Sequence, residues 1–529
     1  MVCVLAVAFL IVGAAAPARA AEHVVVIVCD GLRPDLVTER DMPTLSAIRQ
    51  AGVDFANHHP GYLSSTEVNG TILSTGSYPR NSGLVANHEY RPDVDLLRDV
   101  ETQSDYAIWR TDVVRKTPYL HADTLAEILR AAGKRTAVAG TKPIALLWDR
   151  KPRKPDSDSI NLFEGRTVPS AFLDRITESA GPLPLLANPK KAANAEQDRW
   201  TTHALTDSIW KSGVPAFTVL WMSEPDFAQH GSGPGTTVGR AALRSCDQNI
   251  KAVRDALEAQ GALDTTDLLV VSDHGFSTVS RQVDVVEELK PARLNIVREF
   301  DDADSAKAPG RILAVTNGGS VCFYVTGRDP ATLAKLVKAL QDSSFAGVIF
   351  TREATAGTFA LGEARIDAPD APDVVVSLRW ADERWRPGLP KGTLFCDGKY
   401  VPGQGHHASL SRYDMHNTLI AAGPDFRKGF RSDLPSGNVD VAPTILRLLS
   451  VSADAAARMD GRVLAEALND DVAPHNPAQP PRTFTLTGDN GNWHQFLKIT
   501  EYDGRRYLDE GNRLDDPNAA PPNQVGSAR

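Results

Sequence analysis

Short apolar runs alternate with longer amphipathic stretches along this chain. Runs of mostly apolar residues without polar alternation are typical of strands buried on both faces of a parallel sheet. We interpret four runs as such strands, at residues 23–29, 136–139, 216–222 and 267–272. Amphipathic stretches predict helices at residues 42–50, 124–132, 240–259 and 441–449. The pattern predicts an α/β fold with a large, mostly parallel sheet sandwiched by helices.

The pattern changes after about residue 290. Shorter strands at 311–316, 320–326, 348–351 and 373–377 surround one helix at 330–341, which indicates a small α+β unit. We therefore divide the mature chain into a core of residues 21–289 and 386–470 and an inserted cap of residues 290–385. Residues 471–529 are interpreted as a linker and a short β-rich tail, and residues 150–200 as surface loops around a short helix.

Composition is that of an ordinary globular protein, with 42% hydrophobic and 23% charged residues among 529. This length is too great for one simple core, which agrees with an insertion. The formal net charge of -9 argues against a nucleic-acid-binding surface and against an anionic-membrane surface. It does not exclude an anionic substrate, because bound divalent cations make a site locally positive on an acidic protein.

Residues 1–20 are predicted to be a signal peptide. Residues 2–14 are almost wholly apolar but too few to span a bilayer, and Ala18-Arg19-Ala20 has the form of a cleavage site. We expect export to the periplasm or the medium with no stable membrane anchor after cleavage; a retained anchor is the alternative. The four cysteines after the predicted signal peptide show no CxxC pattern, so neither a zinc cluster nor a disulfide scaffold is indicated. Cys29 is expected to be buried, and a bridge between Cys322 and Cys396 stays open.

Acidic residues stand where the predicted strands end. Asp30, Asp226 and Asp273 each follow one of these strands. Open α/β sheets bind ligands outside the carboxyl ends of their strands. Asp30 alone is explained equally well as a helix cap, but the recurrence of acids at three strand exits predicts a shared site.

Histidines accompany these acids, because His230 lies four residues after Asp226, His274 follows Asp273, and Gly405-His406-His407 forms a late loop. Carboxylate oxygen and imidazole nitrogen are ligands of divalent cations. The residues predict two ion sites, one made of Asp226, His230 and His407 and the other of Asp30, Asp273 and His274. Histidine in both sites favours zinc over magnesium.

Thr66 lies in a stretch rich in small and hydroxyl residues, 61–79, which taken alone indicates a loop leading into a short helix. With metal ions nearby, the Thr66 hydroxyl could act as a nucleophile, since a metal-bound hydroxyl is a nucleophile at neutral pH. Two ions about 4 Å apart clamp the attacking and leaving oxygens of a displacement at phosphorus. Thr66 is therefore the candidate nucleophile and the remaining ligand of the second ion site.

Taken together, these motifs resemble the alkaline phosphatase superfamily, and within it the type I phosphodiesterase and nucleotide pyrophosphatase branch. The resemblance covers roughly residues 23–465 and rests on Asp30-Gly31, Thr66 with Thr75-Gly76-Ser77-Tyr78-Pro79, Ser82-Gly83-Leu84 with Asn87, Glu224-Pro225-Asp226 with His230, Ser272-Asp273-His274-Gly275, His407 and Asp440-Val441-Ala442-Pro443-Thr444. It implies an alkaline-phosphatase-like core and a Thr66 nucleophile. It also implies the two zinc sites given above and an Asn87 amide that holds a phosphoryl oxygen.

The chain departs from the family pattern at several positions. Glu67-Val68-Asn69 follows Thr66, where the branch has an aromatic-Pro-Asn turn, and His407-Ala408 stands where His-Gly is usual. The choice between His406 and His407 as ligand stays open, with His407 preferred. Lys142 falls near a lysine of phosphonoacetate hydrolases and near a Lys-x-Arg pair of a monoesterase subgroup, but no Arg follows it. An exposed lysine beside a strand is the alternative for Lys142.

The expected function is hydrolysis of phosphate diesters or nucleotide phosphoanhydrides, with a small-molecule phosphoryl substrate and a phospho-Thr66 intermediate. Two alternatives remain. One is a phosphomonoesterase or phosphonoacetate-hydrolase-like enzyme that uses Lys142. The other, motivated by Glu67, is a catalytically silent binding protein that keeps the metal sites.

Overall fold

The computed structural model describes residues 21–185, 194–471, 475–488 and 491–515. Its largest element is a nine-stranded central sheet, in which five consecutive strands are parallel. The mostly parallel sheet confirms the predicted α/β class. In spatial order the strands are Phe430–Ser432, Val53–Phe55, Leu419–Ala422, Thr266–Val271, His23–Cys29, Phe217–Met222, Thr136–Gly140, Ile160–Phe163 and Arg166–Val168.

The strand His23–Cys29 lies at the middle of this sheet, hydrogen-bonded to Thr266–Val271 on one side and Phe217–Met222 on the other. Successive side chains of a strand point to opposite faces. Those of Val24, Val26 and Val28 join one apolar cluster and those of Val25 and Ile27 join another, and all five are fully buried. A continuous apolar run therefore fits this position, because both faces are covered by helices.

Helices cover both faces of the central sheet. Thr66–Thr75, Leu125–Ala131 and Val441–Leu448 pack on one face, and Pro43–Ala51, Ala195–His203 and Thr237–Ala259 on the other. The four predicted helices are confirmed, with ends shifted by one to three residues. The remaining α-helices are Pro79–Ser82, Asp105–Arg115, Leu173–Ala180, Asp226–Ser232, Val285–Glu288, Ala303–Lys307, Pro330–Asp342 and Ala453–Ala456.

A second sheet of six strands follows the core in sequence. Its order is Ile296–Val297, Ile312–Thr316, Ser320–Val325, Val374–Leu378, Ala346–Thr351 and Phe359–Ala360. The helix Pro330–Asp342 packs on it. A three-stranded tail sheet of Arg482–Thr487, His494–Tyr502 and Arg505–Arg513 lies against the second sheet, where the Gln495 side chain accepts a hydrogen bond from the Ile349 N–H (2.7 Å). These three strands lie in the segment predicted to be a linker and a β-rich tail.

Smaller sheets connect these parts. A four-stranded sheet contains Trp380–Arg384, Lys391–Asp397, Ser277–Val283 and Gly405–His406, and so joins segments on either side of the predicted cap. Two-stranded sheets pair Ser436–Gly437 with His58–His59 and His88–Glu89 with Val100–Glu101.

The interpretation of residues 150–200 as surface loops was wrong. Ile160–Phe163 is buried and lies parallel to Thr136–Gly140 in the central sheet, and the helices Leu173–Ala180 and Ala195–His203 follow it. The run Ile160-Asn161-Leu162-Phe163 is only four residues long and is flanked by polar residues. Its pairing is therefore decided by the buried neighbouring strand and not by local pattern.

Cys29, Cys246, Cys322 and Cys396 are all free and buried. The burial of Cys29 confirms its expected place in the core, and the open possibility of a Cys322–Cys396 bridge is not realised. The predicted signal peptide, residues 1–20, lies outside the described residues. Among the described residues, none of the helices combines the length and the apolar character that spanning a bilayer requires.

We predict that Leu220→Ala in the central sheet lowers the free energy of unfolding by about 2–5 kcal/mol, because a fully buried leucine leaves a cavity. Leu185→Ala removes the same atoms from a side chain that is 92% exposed, and a change below about 0.5 kcal/mol is expected there. Urea unfolding followed by circular dichroism measures both. Equal destabilisation by the two variants would contradict this placement of Leu220.

Candidate active site

The ends of three neighbouring parallel strands bring three carboxylates together. Asp30 follows His23–Cys29, Asp273 comes two residues after Thr266–Val271, and Asp226 begins a helix after Phe217–Met222. All three are at most 3% exposed. The Asp273 carboxylate accepts hydrogen bonds from the Gly31 and His274 N–H groups (2.9 and 3.0 Å), and the Asp226 N–H donates to the Asp30 carbonyl (3.0 Å). The strand ends thus fix the carboxylates through their own backbone.

Three histidines are each held through one ring nitrogen. Nδ1 lies 3.1 Å from the Gly405 carbonyl in His230, 2.9 Å from the Gly275 carbonyl in His274, and 2.9 Å from the Ser64 carbonyl in His407. A carbonyl oxygen only accepts, so each Nδ1 carries the proton and each Nε2 has a free lone pair. This is the arrangement in which imidazole binds a metal.

The carboxylates and imidazoles form two clusters. In the first, Oδ1 of Asp226 lies 3.3 Å from Nε2 of His230 and 3.6 Å from Nε2 of His407. In the second, Nε2 of His274 lies 3.3 Å from Oδ2 of Asp273 and 3.6 Å from Oδ1 of Asp30. In each cluster, three possible ligand atoms lie within 4.8 Å of one another. The structure thus brings together both predicted ligand sets.

Each carboxylate has one oxygen that the protein leaves unpaired. Oδ1 of Asp30, Oδ1 of Asp226 and Oδ2 of Asp273 are buried and have no hydrogen-bond partner among the described residues. These are the three oxygens that face the imidazole nitrogens. Buried polar atoms are costly to leave unpaired. The donor set therefore fits two divalent cations.

Thr66 lies beside the second cluster. It is the first residue of the helix Thr66–Thr75, and its Oγ1 is 3.2 Å from Nε2 of His274. Thr66 is 4% exposed. A helix N-terminus presents unpaired N–H groups and a partial positive charge, which favour an anion. The hydroxyl predicted to be the nucleophile is therefore close to candidate ligands and at an anion-favouring end of a helix.

Asn69 holds the turn that precedes Thr66. Its side-chain oxygen accepts from the Gly61 N–H (2.7 Å), and its Nδ2 donates to the carbonyls of Gly61, Leu63 and Ser65 (3.0–3.2 Å). The sequence analysis did not assign Asn69 a role. A fully buried amide inside a helix is the signal that would have marked it, since Asn disfavours helix interiors.

Asn87 and Glu67 lie next to each other at the site. The Asn87 side-chain oxygen accepts from the Glu67 N–H (3.1 Å), which leaves the Asn87 amide N–H groups for a ligand. Glu67 is 3% exposed, and its Oε2 has no hydrogen-bond partner among the described residues. Burial raises the pKa of Glu67 to about 7. The residue that replaces the family's aromatic side chain is thus a buried carboxyl close to the nucleophile.

Lys142 is inserted between the two clusters. Its Nζ lies 2.7 Å from Oδ2 of Asp226 and 2.8 Å from Oδ2 of Asp30. Its side chain is 18% exposed, so the alternative of a surface lysine is wrong. The ammonium binds the carboxylate oxygens that face away from the imidazoles. It thereby holds the two clusters in a fixed position relative to each other.

Burial and, after it, neighbouring charges set the pKa values at the site. Burial, and then the neighbouring Asp273 carboxylate, raise the pKa of Asp30 well above its usual value, and burial raises that of Asp273 to about 7. Burial also acts on Asp226, but Lys142 and His230 outweigh it and hold the Asp226 pKa well below its usual range. Burial lowers the pKa of His274 and of His407. The His274 and His407 imidazoles are therefore neutral, as metal ligands must be.

A cavity of about 380 Å³ opens above the clusters. Core residues on its wall include Asn87, His230 and His407, and the facing wall comes from Thr316–Gly318 and Asp397–Tyr400. His406 lines the cavity, but it is His407 that stands beside Asp226 and His230. The cavity-lining loop 397–400 was missed by the sequence analysis, since nothing in its Gly-Lys-Tyr turn indicates contact with a site made elsewhere.

Carboxylates and histidines converge at the strand ends of a parallel sheet, beside a hydroxyl at a helix N-terminus. This arrangement defines a phosphohydrolase of the alkaline phosphatase superfamily. The model of the type I phosphodiesterase / nucleotide pyrophosphatase family matches residues 24–400, and the chain belongs to that family. The family is metal-dependent, which agrees with the two clusters.

A curated protein resembles this chain in sequence, and two solved structures share its fold. The bis(5'-adenosyl)-triphosphatase enpp4 of Xenopus laevis is 23% identical over 432 residues, which is 80% of this chain and 76% of that protein. The structure of human ectonucleotide pyrophosphatase/phosphodiesterase 5 matches with a TM-score of 0.57 at 15% identity, over 85% of this chain and 100% of that one. The murine enzyme, solved as an inactive threonine-to-alanine variant in complex with AMP, matches with a TM-score of 0.54 at 15% identity over 82% and 96% of the chains.

We predict that Trp221→Phe weakens metal binding at the second cluster 10–100-fold, about the usual effect of removing a group that orients a ligand. The Trp221 Nε1–H donates to Oδ2 of Asp30 (3.0 Å), and Phe cannot. Trp148→Phe is the matched control, because Trp148 is equally buried and its Nε1 has no partner among the described residues. Competition with a chromophoric zinc chelator measures the affinity. Equal affinities in the two variants would contradict this role for Trp221.

Proposed function

We propose that this protein hydrolyses phosphate diesters or nucleotide phosphoanhydrides through a phospho-Thr66 intermediate with two divalent cations, most simply zinc. The observation that carries the proposal is the position of Thr66 Oγ1, 3.2 Å from His274 Nε2 and at the start of a helix. The cations would be held by two sets of residues: Asp226, His230 and His407, and Asp30, Asp273, His274 and Thr66. The presence of imidazole in both sets supports zinc.

The bound cations would lower the pKa of the Thr66 hydroxyl and neutralise charge on the phosphoryl group. Thr66 Oγ1 attacks phosphorus, the bond to the leaving oxygen breaks, and the Thr66–phosphorus ester is then hydrolysed by water. The partial positive charge at the start of the helix that Thr66 begins would favour the added negative charge. Asn69 keeps Thr66 in place through its bonds to the preceding turn.

Asn87 is assigned to a non-bridging phosphoryl oxygen. Its side-chain oxygen is occupied by the Glu67 N–H, so its amide N–H groups are the donors that remain for the cavity it lines. A fixed donor is most effective where charge develops in the transition state.

The diester preference is supported by Lys142. A monoester or phosphonate substrate carries a second negative charge that a free cation would have to bind. The Lys142 ammonium is instead engaged by Asp226 and Asp30 at 2.7 and 2.8 Å. We assign it to holding these carboxylates, and a phosphomonoesterase or phosphonoacetate-hydrolase-like activity that uses Lys142 remains the second candidate.

Two further features complete the proposal. AMP bound to the murine relative supports a nucleotide-type substrate. Thr316–Gly318, beside the second sheet, line the cavity, which supports assigning residues 290–385 to a cap over the site. Export to the periplasm or the medium is proposed from the sequence of residues 1–20 and agrees with the extracellular names of the relatives.

We predict that Thr66→Ala lowers turnover of bis(p-nitrophenyl) phosphate by at least about 1,000-fold, because the nucleophile is lost. Zinc content measured by mass spectrometry should equal that of the parent protein, since six protein ligands remain at the active site. Thr71→Ala is the control, because Thr71 lies on the same helix with a buried hydroxyl that has no partner among the described residues.

The same assay separates the alternatives. A parent protein that cleaves p-nitrophenyl phosphate much faster than the diester would overturn the diester preference. A parent protein that holds zinc but cleaves no phosphoryl substrate would support the silent binding protein. Full activity in Thr66→Ala would rule out the phospho-enzyme route.

We also predict that Asn87→Ala lowers kcat about 100- to 1,000-fold, the usual effect of losing one oxyanion donor. KM should change much less, because the donor acts on charge that develops in the transition state. Asn81→Ala, at an exposed amide bound to Asp460, is the control. A change below twofold in kcat for Asn87→Ala would remove this role.

A further inference from the structure

A third group of metal-ligand side chains lies away from the cavity. It consists of His59, His416 and Asp509, whose ligand atoms lie within 4.8 Å of one another. Nε2 of His59 is 3.7 Å from Oδ1 of Asp509, and the rings of His59 and His416 are 4.3 Å apart at their centroids. None of these residues belongs to the motifs that the catalytic proposal uses.

We propose that His59, His416 and Asp509 bind a third divalent metal ion, of the zinc class, that fastens the tail sheet to the catalytic core. Two imidazole nitrogens and one carboxylate oxygen are a ligand set for Zn²⁺ and its transition-metal neighbours, and they leave one tetrahedral position. The side-chain oxygen of Asn57 accepts a hydrogen bond from Nε2 of His59 (2.9 Å), so an ion bound at this nitrogen would replace that proton and lie close to the Asn57 oxygen.

The site is buried on one side and open on the other. His59 and Asp509 are 1% and 6% exposed, whereas His416 is half-buried. His416, Asp509 and Asn57 line a cavity of about 420 Å³ that opens to the surface. An ion therefore has an entry path to ligands that are otherwise shielded from water.

The local charges leave Asp509 without a cation. Its carboxylate accepts hydrogen bonds from the Thr500 hydroxyl (2.9 and 3.1 Å). The two cationic side chains nearby are engaged by the adjacent Glu510, to which Lys498 lies at 3.3 Å and Arg412 at 2.8 Å. A buried carboxylate that is bound by the neutral donors of Thr500 and faces two imidazoles is well compensated by a metal cation.

The three ligands come from distant parts of the chain. His59 lies in the strand His58–His59, His416 in the loop before Leu419–Ala422, and Asp509 in the tail strand Arg505–Arg513. One ion would therefore cross-link the core and the tail. A link of this kind stabilises the folded chain because the ligands are not assembled in the unfolded one.

The decisive experiment counts metal ions per chain. Full-length protein is loaded with Zn²⁺, passed over a desalting column and analysed by mass spectrometry. The parent protein should hold one more ion than either His416→Ala or Asp509→Asn, while both variants keep their turnover of bis(p-nitrophenyl) phosphate. His494→Ala is the matched control, because His494 lies in the tail sheet bound to the Thr487 hydroxyl, outside the cluster, and it should keep the parent's metal content.

The difference of one ion does not depend on the catalytic proposal. Asp273→Asn should lower the count at the active site and leave the ion at His59, His416 and Asp509 in place. Equal zinc content in the parent protein and His416→Ala would overturn the proposal and leave a metal-free hydrogen-bonded cluster. Should the variants fail to fold, zinc titration of the parent protein against a chromophoric chelator decides. This count rests on the proposed function, because two or fewer tight ions per chain overturn the third site only if the active site holds two.

Discussion

Three carboxylates buried at one edge of an apolar sheet are the constraint on which the active site depends. Asp30, Asp226 and Asp273 are at most 3% exposed, and among the described residues Lys142 is the permanent cation within 4 Å of them. A buried charge without a partner costs several kcal/mol. One ammonium does not neutralise three carboxylates, so the site fits additional cations, and the unpaired oxygens are the atoms that would hold them.

The fold provides this arrangement because the hydrogen bonds that hold the histidine and aspartate side chains use the atoms that are not candidate metal ligands. Nδ1 of each imidazole is bound to a backbone carbonyl, and each carboxylate uses one oxygen for a backbone, tryptophan or lysine donor. The second nitrogen or oxygen is left free in a fixed direction. Ligand atoms with fixed directions let a metal bind without rearrangement of the side chains, and Thr66 is held beside them.

The sequence was sufficient for the parts of the site that depend on local rules. An apolar run followed by an acid predicted the place of Asp30 and Asp273, because parallel strands release the chain at a common edge. The strand Ile160–Phe163 was missed, since its pairing depends on a neighbour that is already buried. The burial of Lys142 was also left undecided, because a long side chain can reach in several directions and only the assembled carboxylates fix one of them.

A polar layer connects the third cluster to the catalytic one. His58, next to His59, places Nε2 2.9 Å from the Asn438 side-chain oxygen, and Asn438 donates to the Asp273 carbonyl at 2.7 Å. Asn417, next to His416, donates to the same Asn438 oxygen at 3.0 Å. Hydrogen bonds between core side chains therefore join the segments next to the third cluster to the loop that carries Asp273. Asp509 makes none of these bonds, so loss of an ion from the third cluster is expected to leave Asp273 in place and turnover unchanged.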